Sequence, residues 1–188
     1  MLNFEWKPPL LETDRLLLRP LNDGDADSIF LYASNPLVTR FTLWNTHLTI
    51  DDTRQFLRDY PWSRYPNHEP DPIGIVIKND PTRSVIGTVG CFWVSKKDAV
   101  MELGYNLAEP YWGKGIIVEA SRALLDFVFK EYPVERIQAR VLEGNMASCR
   151  VAEKLGMNHE GTLRSFLLHH GPRVDVDFFA VLRSEWIK

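Results

Sequence analysis

The chain has 188 residues, 45% apolar and 25% charged, which allows one domain over residues 1–188 with a substantial core. Its net charge of −3 gives no reason to expect direct nucleic-acid binding, and no apolar run approaches the roughly 20 residues that span a bilayer. Two cysteines, Cys91 and Cys149, form no CxxC pair or Cys/His cluster, so they read as reduced, buried thiols and no metal is expected.

Met1–Leu10 lacks the basic segment and apolar core of a signal peptide, so a cytoplasmic location is expected. Arg15-Leu-Leu-Leu-Arg19 reads as a short strand stopped by Pro20. Asn22-Asp-Gly-Asp25 is a turn and N-cap cluster that opens a helix ending near Asn35-Pro36. Thr49-Ile-Asp-Asp52 opens a second helix, and the proline-rich stretch Tyr60–Pro72 reads as a loop. Strands follow at 73–78, 85–94 and 100–107, an antiparallel meander with turns at 79–83 and 95–98.

Next comes Tyr111-Trp-Gly-Lys-Gly-Ile-Ile-Val118, and after it apolar residues recur with helical spacing at Ile116, Ile117, Ala120, Ala123, Leu124, Phe127 and Val128. A strand thus runs into a glycine turn that opens a long amphipathic helix. Gly113 and Gly115 let backbone approach a ligand, the first helical N–H groups lack internal partners, and Lys114 adds a positive charge. The combination is a phosphate site. A dinucleotide fold is disfavoured because Val118 stands where a third glycine is needed and a meander precedes the turn. A Walker loop fails because Gly115, rather than Ser or Thr, follows Lys114.

Arg136–Leu142 is a half-buried strand, and Glu143-Gly-Asn145 turns into a short helix that ends at Gly156. Thr162–Leu168 and Val174–Leu182 close the chain as a hairpin. The predicted order is β-α-α-β-β-β-α-β-α-β-β, an α/β domain with a mixed, mostly antiparallel central sheet flanked by helices.

Taken together, Glu12–Pro20, Glu102-Leu-Gly-Tyr105, Trp112–Ile117, Asn145-x-x-Ser148 with Glu153-Lys-Leu-Gly156, and the closing Gly171, Asp175 and Arg183-x-Glu-Trp186 resemble the GNAT N-acetyltransferases. The likeness is closest to the branch that acetylates ribosomal-protein N-termini. In this sequence Trp112 stands where the family's turn carries Gln or Arg, Ile117 where it carries Gly or Ala, and Ala152 where many members carry a tyrosine acid.

The resemblance implies an acetyl-CoA-dependent N-acetyltransferase acting by direct attack in a ternary complex. Trp112, Gly113, Lys114, Gly115, Ile116, Ile117 and Val118 would hold the coenzyme's diphosphate. Tyr105, Asn106 and Leu107 would hold the pantetheine, with Asn145 and Ser148 also touching coenzyme A. Glu102 is the candidate base, with a salt-bridged carboxylate as its alternative reading, and Ser148 is the candidate acid, with a polar first-turn residue as its alternative. The implied acceptor is an amine: a ribosomal or other protein N-terminus, a polyamine, an antibiotic or another small amine. A homodimer is the working expectation for assembly, and the competing function is a non-catalytic acyl-CoA-binding regulator.

Overall fold

The computed structural model describes Trp6 and residues 8–186, so Met1–Glu5 and Lys7, part of the stretch read for a leader, lie outside the described residues. The elements are β1 (Leu11–Glu12), β2 (Leu16–Pro20), α1 (Ala26–Ala33), α2 (Pro36–Thr39), α3 (Ile50–Arg64), β3 (Ile73–Ile77), β4 (Val85–Ser95), β5 (Val100–Leu107), α4 (Ile116–Glu131), β6 (Arg136–Leu142), α5 (Met146–Lys154), β7 (Asn158–Leu168), β8 (Arg173–Leu182) and α6 (Arg183–Trp186). The strands form one sheet in the order β1-β2-β3-β4-β5-β6-β8-β7. Pairing is antiparallel at β1–β2, β2–β3, β3–β4, β6–β8 and β7–β8, and parallel at β5–β6. The expected fold class is therefore the one found. The described residues form two compact units, those up to Phe92 with Gly104–Leu124, and Trp93–Leu103 with those from Leu125 on.

In the first unit, Leu16 and Leu18 alternate inward along β2 and are fully buried. Leu21, Ile29, Tyr32, Ala33, Val38, Leu57, Val76 and Val85 form its core, with Trp44 and Phe56 packed against it. Asn22 starts the first helical segment with a capping box, and the Arg19 guanidinium forks onto Asp25 at 2.8 and 2.6 Å. Asp52 Oδ2 accepts from the N–H groups of Leu48 and Thr49, both at 2.9 Å, and so starts α3.

Two sequence expectations change here. Pro36 does not simply end a helix: Asn35 accepts from the Leu37 N–H and Pro36 opens the extra turn α2, since proline suits a first helical position. The loop read from Tyr60 is helical to Arg64, with Pro61 inside α3, and continues as a 3-10 turn at Tyr65–Asn67. Pro61 sacrifices one helical bond. Side chains on both sides of it hold the turn: Tyr60 Oη donates to Asp71 Oδ2 at 2.7 Å, Arg64 to Glu69 at 3.1 Å and Tyr65 Oη to the Pro72 carbonyl at 2.7 Å.

In the second unit, β6 pairs with β8 from Arg136↔Leu182 to Leu142↔Val176, and Ile137, Val141, Val176, Phe179 and Val181 are buried. β7 begins at Asn158, four residues before the expected Thr162, because β8 supplies backbone partners to a stretch without apolar alternation. Arg183-x-Glu-Trp186, read as part of the closing motif, forms the short α6. Its Arg183 guanidinium donates to the carbonyls of Phe129, Tyr132 and Val134, capping the end of α4. Both cysteines are free, but only Cys91 is buried; Cys149 is partly exposed.

Candidate active site

The glycine turn opens α4 as expected. Gly113 and Gly115 have φ of +72° and +74°, the left-handed region open to glycine. A Cβ at Gly113 would meet nothing within 4 Å, so conformation rather than space selects the residue. The Gly115 carbonyl accepts from the Glu119 N–H at 3.1 Å and starts the helical ladder, which leaves the N–H groups of the first turn without intrahelical acceptors. Unpaired N–H groups at a helix start are the kind of donors that suit an anion.

The side chains around this turn are fixed. Trp112 Nε1 donates to the Leu107 carbonyl at 2.8 Å, tying the turn to the end of β5. The Lys114 ammonium is exposed and lies 5.6 Å from the Tyr111 ring centroid, within cation–π range. Ile116 and Ile117 are buried at 4% and 7% exposure, so the isoleucine at the family's Gly/Ala position faces the core.

Asn106 Nδ2 donates to Thr88 Oγ1 at 2.7 Å, while its Oδ1 is buried without a partner among the described residues. A buried acceptor lacking a donor fits a pantetheine amide N–H. Beside it, a Cβ at Gly87 would lie 2.4 Å from the Asn106 carbonyl oxygen and 2.9 Å from Leu107 Cα. Only glycine lets β4 approach there, a role the sequence reading missed although an isolated strand glycine signals it.

In the second unit, Glu102 is 7% exposed at the last residue of β5 paired with β6, where it stands opposite Gln138. Arg140 Nε donates to both carboxylate oxygens at 2.8 and 2.9 Å, Arg140 Nη2 lies 2.8 Å from Oε1, and Gln138 Nε2 donates to Oε2 at 2.9 Å. These donors occupy the roughly four lone-pair directions of a carboxylate. Asn145 caps α5, accepting from the Ser148 N–H at 3.2 Å. The Ser148 hydroxyl is partly exposed and makes no hydrogen bond among the described residues. Ala152 is 2% exposed, so nothing there replaces a tyrosine acid.

Among the described residues no group of three or more His, Cys, Asp or Glu side chains is arranged to hold a metal ion, and no helix is long and apolar enough to cross a membrane. Comparison with known proteins identifies the class. A family model described as the acetyltransferase (GNAT) domain matches residues 15–158. YoaA of Bacillus subtilis (strain 168), an uncharacterized N-acetyltransferase, is 30% identical over 175 residues, covering 93% of this chain and 97% of that protein. The crystal structure of a GNAT-family acetyltransferase from Bacillus anthracis superposes with a TM-score of 0.83 at 25% identity, over 94% of this chain and all of that one. RimL, a ribosomal L7/L12 alpha-N-protein acetyltransferase solved with coenzyme A, shares the fold with a TM-score of 0.80 at 19% identity, over 93% and 97% of the two chains.

The chain belongs to the GNAT acetyltransferases. It is an N-acetyltransferase, and two structures that share its fold, the acetyltransferase MccE and a spermidine N-acetyltransferase from Vibrio cholerae, were solved with acetyl-CoA and CoA.

Proposed function

We propose that this protein, acting as one domain over residues 1–188 in the cytoplasm, acetylates the α-amine of a protein N-terminus by direct attack on acetyl-CoA. The observation that carries the choice of acceptor is the occupied carboxylate of Glu102. A base whose lone pairs are engaged by Arg140 and Gln138 gives limited help with deprotonation. An α-amine, with a pKa near ~7.7–8.0, is roughly a tenth neutral at pH 7, whereas an alkyl amine near ~10.4 is less than about a thousandth neutral. The acceptor least dependent on a base is therefore the α-amine. The RimL fold likeness is consistent with that acceptor.

In this reading Trp112–Val118 hold the diphosphate through backbone N–H groups and Lys114. Tyr105, Asn106 and Leu107 hold the pantetheine, with the Asn106 Oδ1 taking an amide N–H. A backbone N–H near the end of β5 stabilises the oxyanion. Glu102 accepts the amine proton, directly or through water, at the expense of its present hydrogen bonds. Asn145 touches the coenzyme while capping α5, and Ser148 Oγ, partly exposed, gives a proton to the departing thiolate as it takes one from solvent water.

The test is thiol release from acetyl-CoA with peptides bearing a free α-amine, the same peptides with a blocked α-amine and a lysine, polyamines and aminoglycosides. The expected result is a kcat/KM at least about tenfold higher for free α-amines. A polyamine, aminoglycoside or lysine preferred by that factor would overturn the acceptor assignment. Calorimetric binding of coenzyme A without thiol release from any amine would favour an acyl-CoA-binding regulator.

A further inference from the structure

The first turn of α4 holds an apparent conflict. Glu119 places a carboxylate beside the N–H groups assigned above to a diphosphate. A first-turn carboxylate favours the helix dipole but repels an anion bound at the same end. The structure balances it with Arg15, the residue just before β2. Arg15 Nε donates to Glu119 Oε2 at 2.6 Å, and Nη2 lies 2.6 Å from the same oxygen. The Arg15 N–H and Thr13 Oγ1 donate to Glu119 Oε1 at 3.1 and 2.5 Å. Burial opposes ionisation of Glu119, but the bonds from Thr13 and Arg15 and the guanidinium charge hold its pKa below the usual value.

Arg15 also reaches the turn itself. Its Nη1 donates to the Lys114 carbonyl at 3.1 Å, and its Nη2 lies 3.7 Å from where a Cβ on Gly115 would stand. In a planar trans peptide the carbonyl and the following N–H point in opposite directions. Holding the Lys114 oxygen toward the guanidinium therefore turns the Gly115 N–H away from it, toward the open side of the turn.

We propose that Arg15 is a positioning residue for coenzyme A, cancelling the Glu119 charge and orienting the Lys114–Gly115 peptide so that its N–H faces the diphosphate. This rests on the assignment of Trp112–Val118 as the diphosphate site. The test uses the full chain and four forms: wild type, Arg15→Gln, Glu119→Gln and the double variant. Arg15→Gln is expected to raise the Kd for coenzyme A and the KM for acetyl-CoA about tenfold, the size of a partly buried helix-terminus charge effect. The kcat should stay within about twofold, since no reacting atom is involved. The KM for S-acetyl-pantetheine, which lacks phosphates, should not change. The double variant should recover most of the loss, and Glu119→Gln alone should bind at least as tightly as wild type.

An unchanged Kd in Arg15→Gln overturns the proposal. So does an equal loss with S-acetyl-pantetheine, or a double variant as weak as the single one. A wild-type protein that fails to bind coenzyme A would instead overturn the underlying site assignment.

Discussion

At Glu102 two effects of one substitution can be separated. Glu102→Gln keeps the shape but removes the charge that Arg140 meets at 2.8 Å. Arg140 is about a quarter exposed, so the loss of stability should be modest, about 1–2 kcal/mol. If Glu102 also takes the amine proton, kcat should fall by about 10²-fold and the acidic limb of the pH–rate profile should shift toward that of the free α-amine. A destabilised enzyme with an unaltered profile would make the carboxylate structural. Ser148→Ala tests the other end of the reaction: about a tenfold lower kcat at saturating acetyl-CoA is expected, and a wild-type rate would remove the hydroxyl from the mechanism. The family resemblance made Glu102 legible as a candidate base. It said nothing of Arg140 and Gln138, which reach Glu102 only because β6 pairs alongside β5.

At the scale of elements, the turn into α4 was readable because its requirements are local. Two glycines flank a lysine, then the apolar period begins, and the left-handed φ values follow. Gly113→Ala tests that local argument. With no neighbour within 4 Å the penalty is torsional alone, about 1–2 kcal/mol. It should appear as a lower melting temperature, a weaker coenzyme A affinity, or both, while Gly113→Asn, which tolerates positive φ, should recover most of it. Equal behaviour of the alanine variant and wild type would refute the conformational reading. The end of α3 was not readable in the same way. Pro61 is a breaker by every local rule, yet the helix continues through it, because Tyr60, Arg64 and Tyr65 are held by Asp71, Glu69 and Pro72.

For the whole molecule, the buried carboxylate of Asp71 ties stability to pH. It is 7% exposed and rests against the backbone of Gly90, where a Cβ would lie 2.0 Å from its Oδ1. Desolvation pushes its pKa up to about 6, against the lowering effects of the Tyr60 hydroxyl and the Arg64 charge, with Glu69 adding repulsion. The folded chain thus keeps a proton that the unfolded chain releases near pH ~3.9. This contribution is fully present below that value and is lost as pH rises through about 6. Asp71→Asn cannot titrate, so wild type should lose on the order of 1–3 kcal/mol relative to the variant between pH 4.5 and 8 in denaturant melts. Parallel profiles for the two proteins would show that Asp71 titrates alike in both states.

The sequence alone determined what neighbours within a few residues decide: the capped helix starts at Asn22 and Thr49, the strand alternation and the glycine turn before α4. Five motifs in order were enough to indicate the family. Tertiary structure alone decided the partners of the charges. Glu102 meets Arg140 across 38 positions of chain, and Arg15 meets Glu119 across 104. Ion pairs of that separation leave no periodic trace in sequence, because strand pairing and helix docking, rather than local propensity, bring their members together.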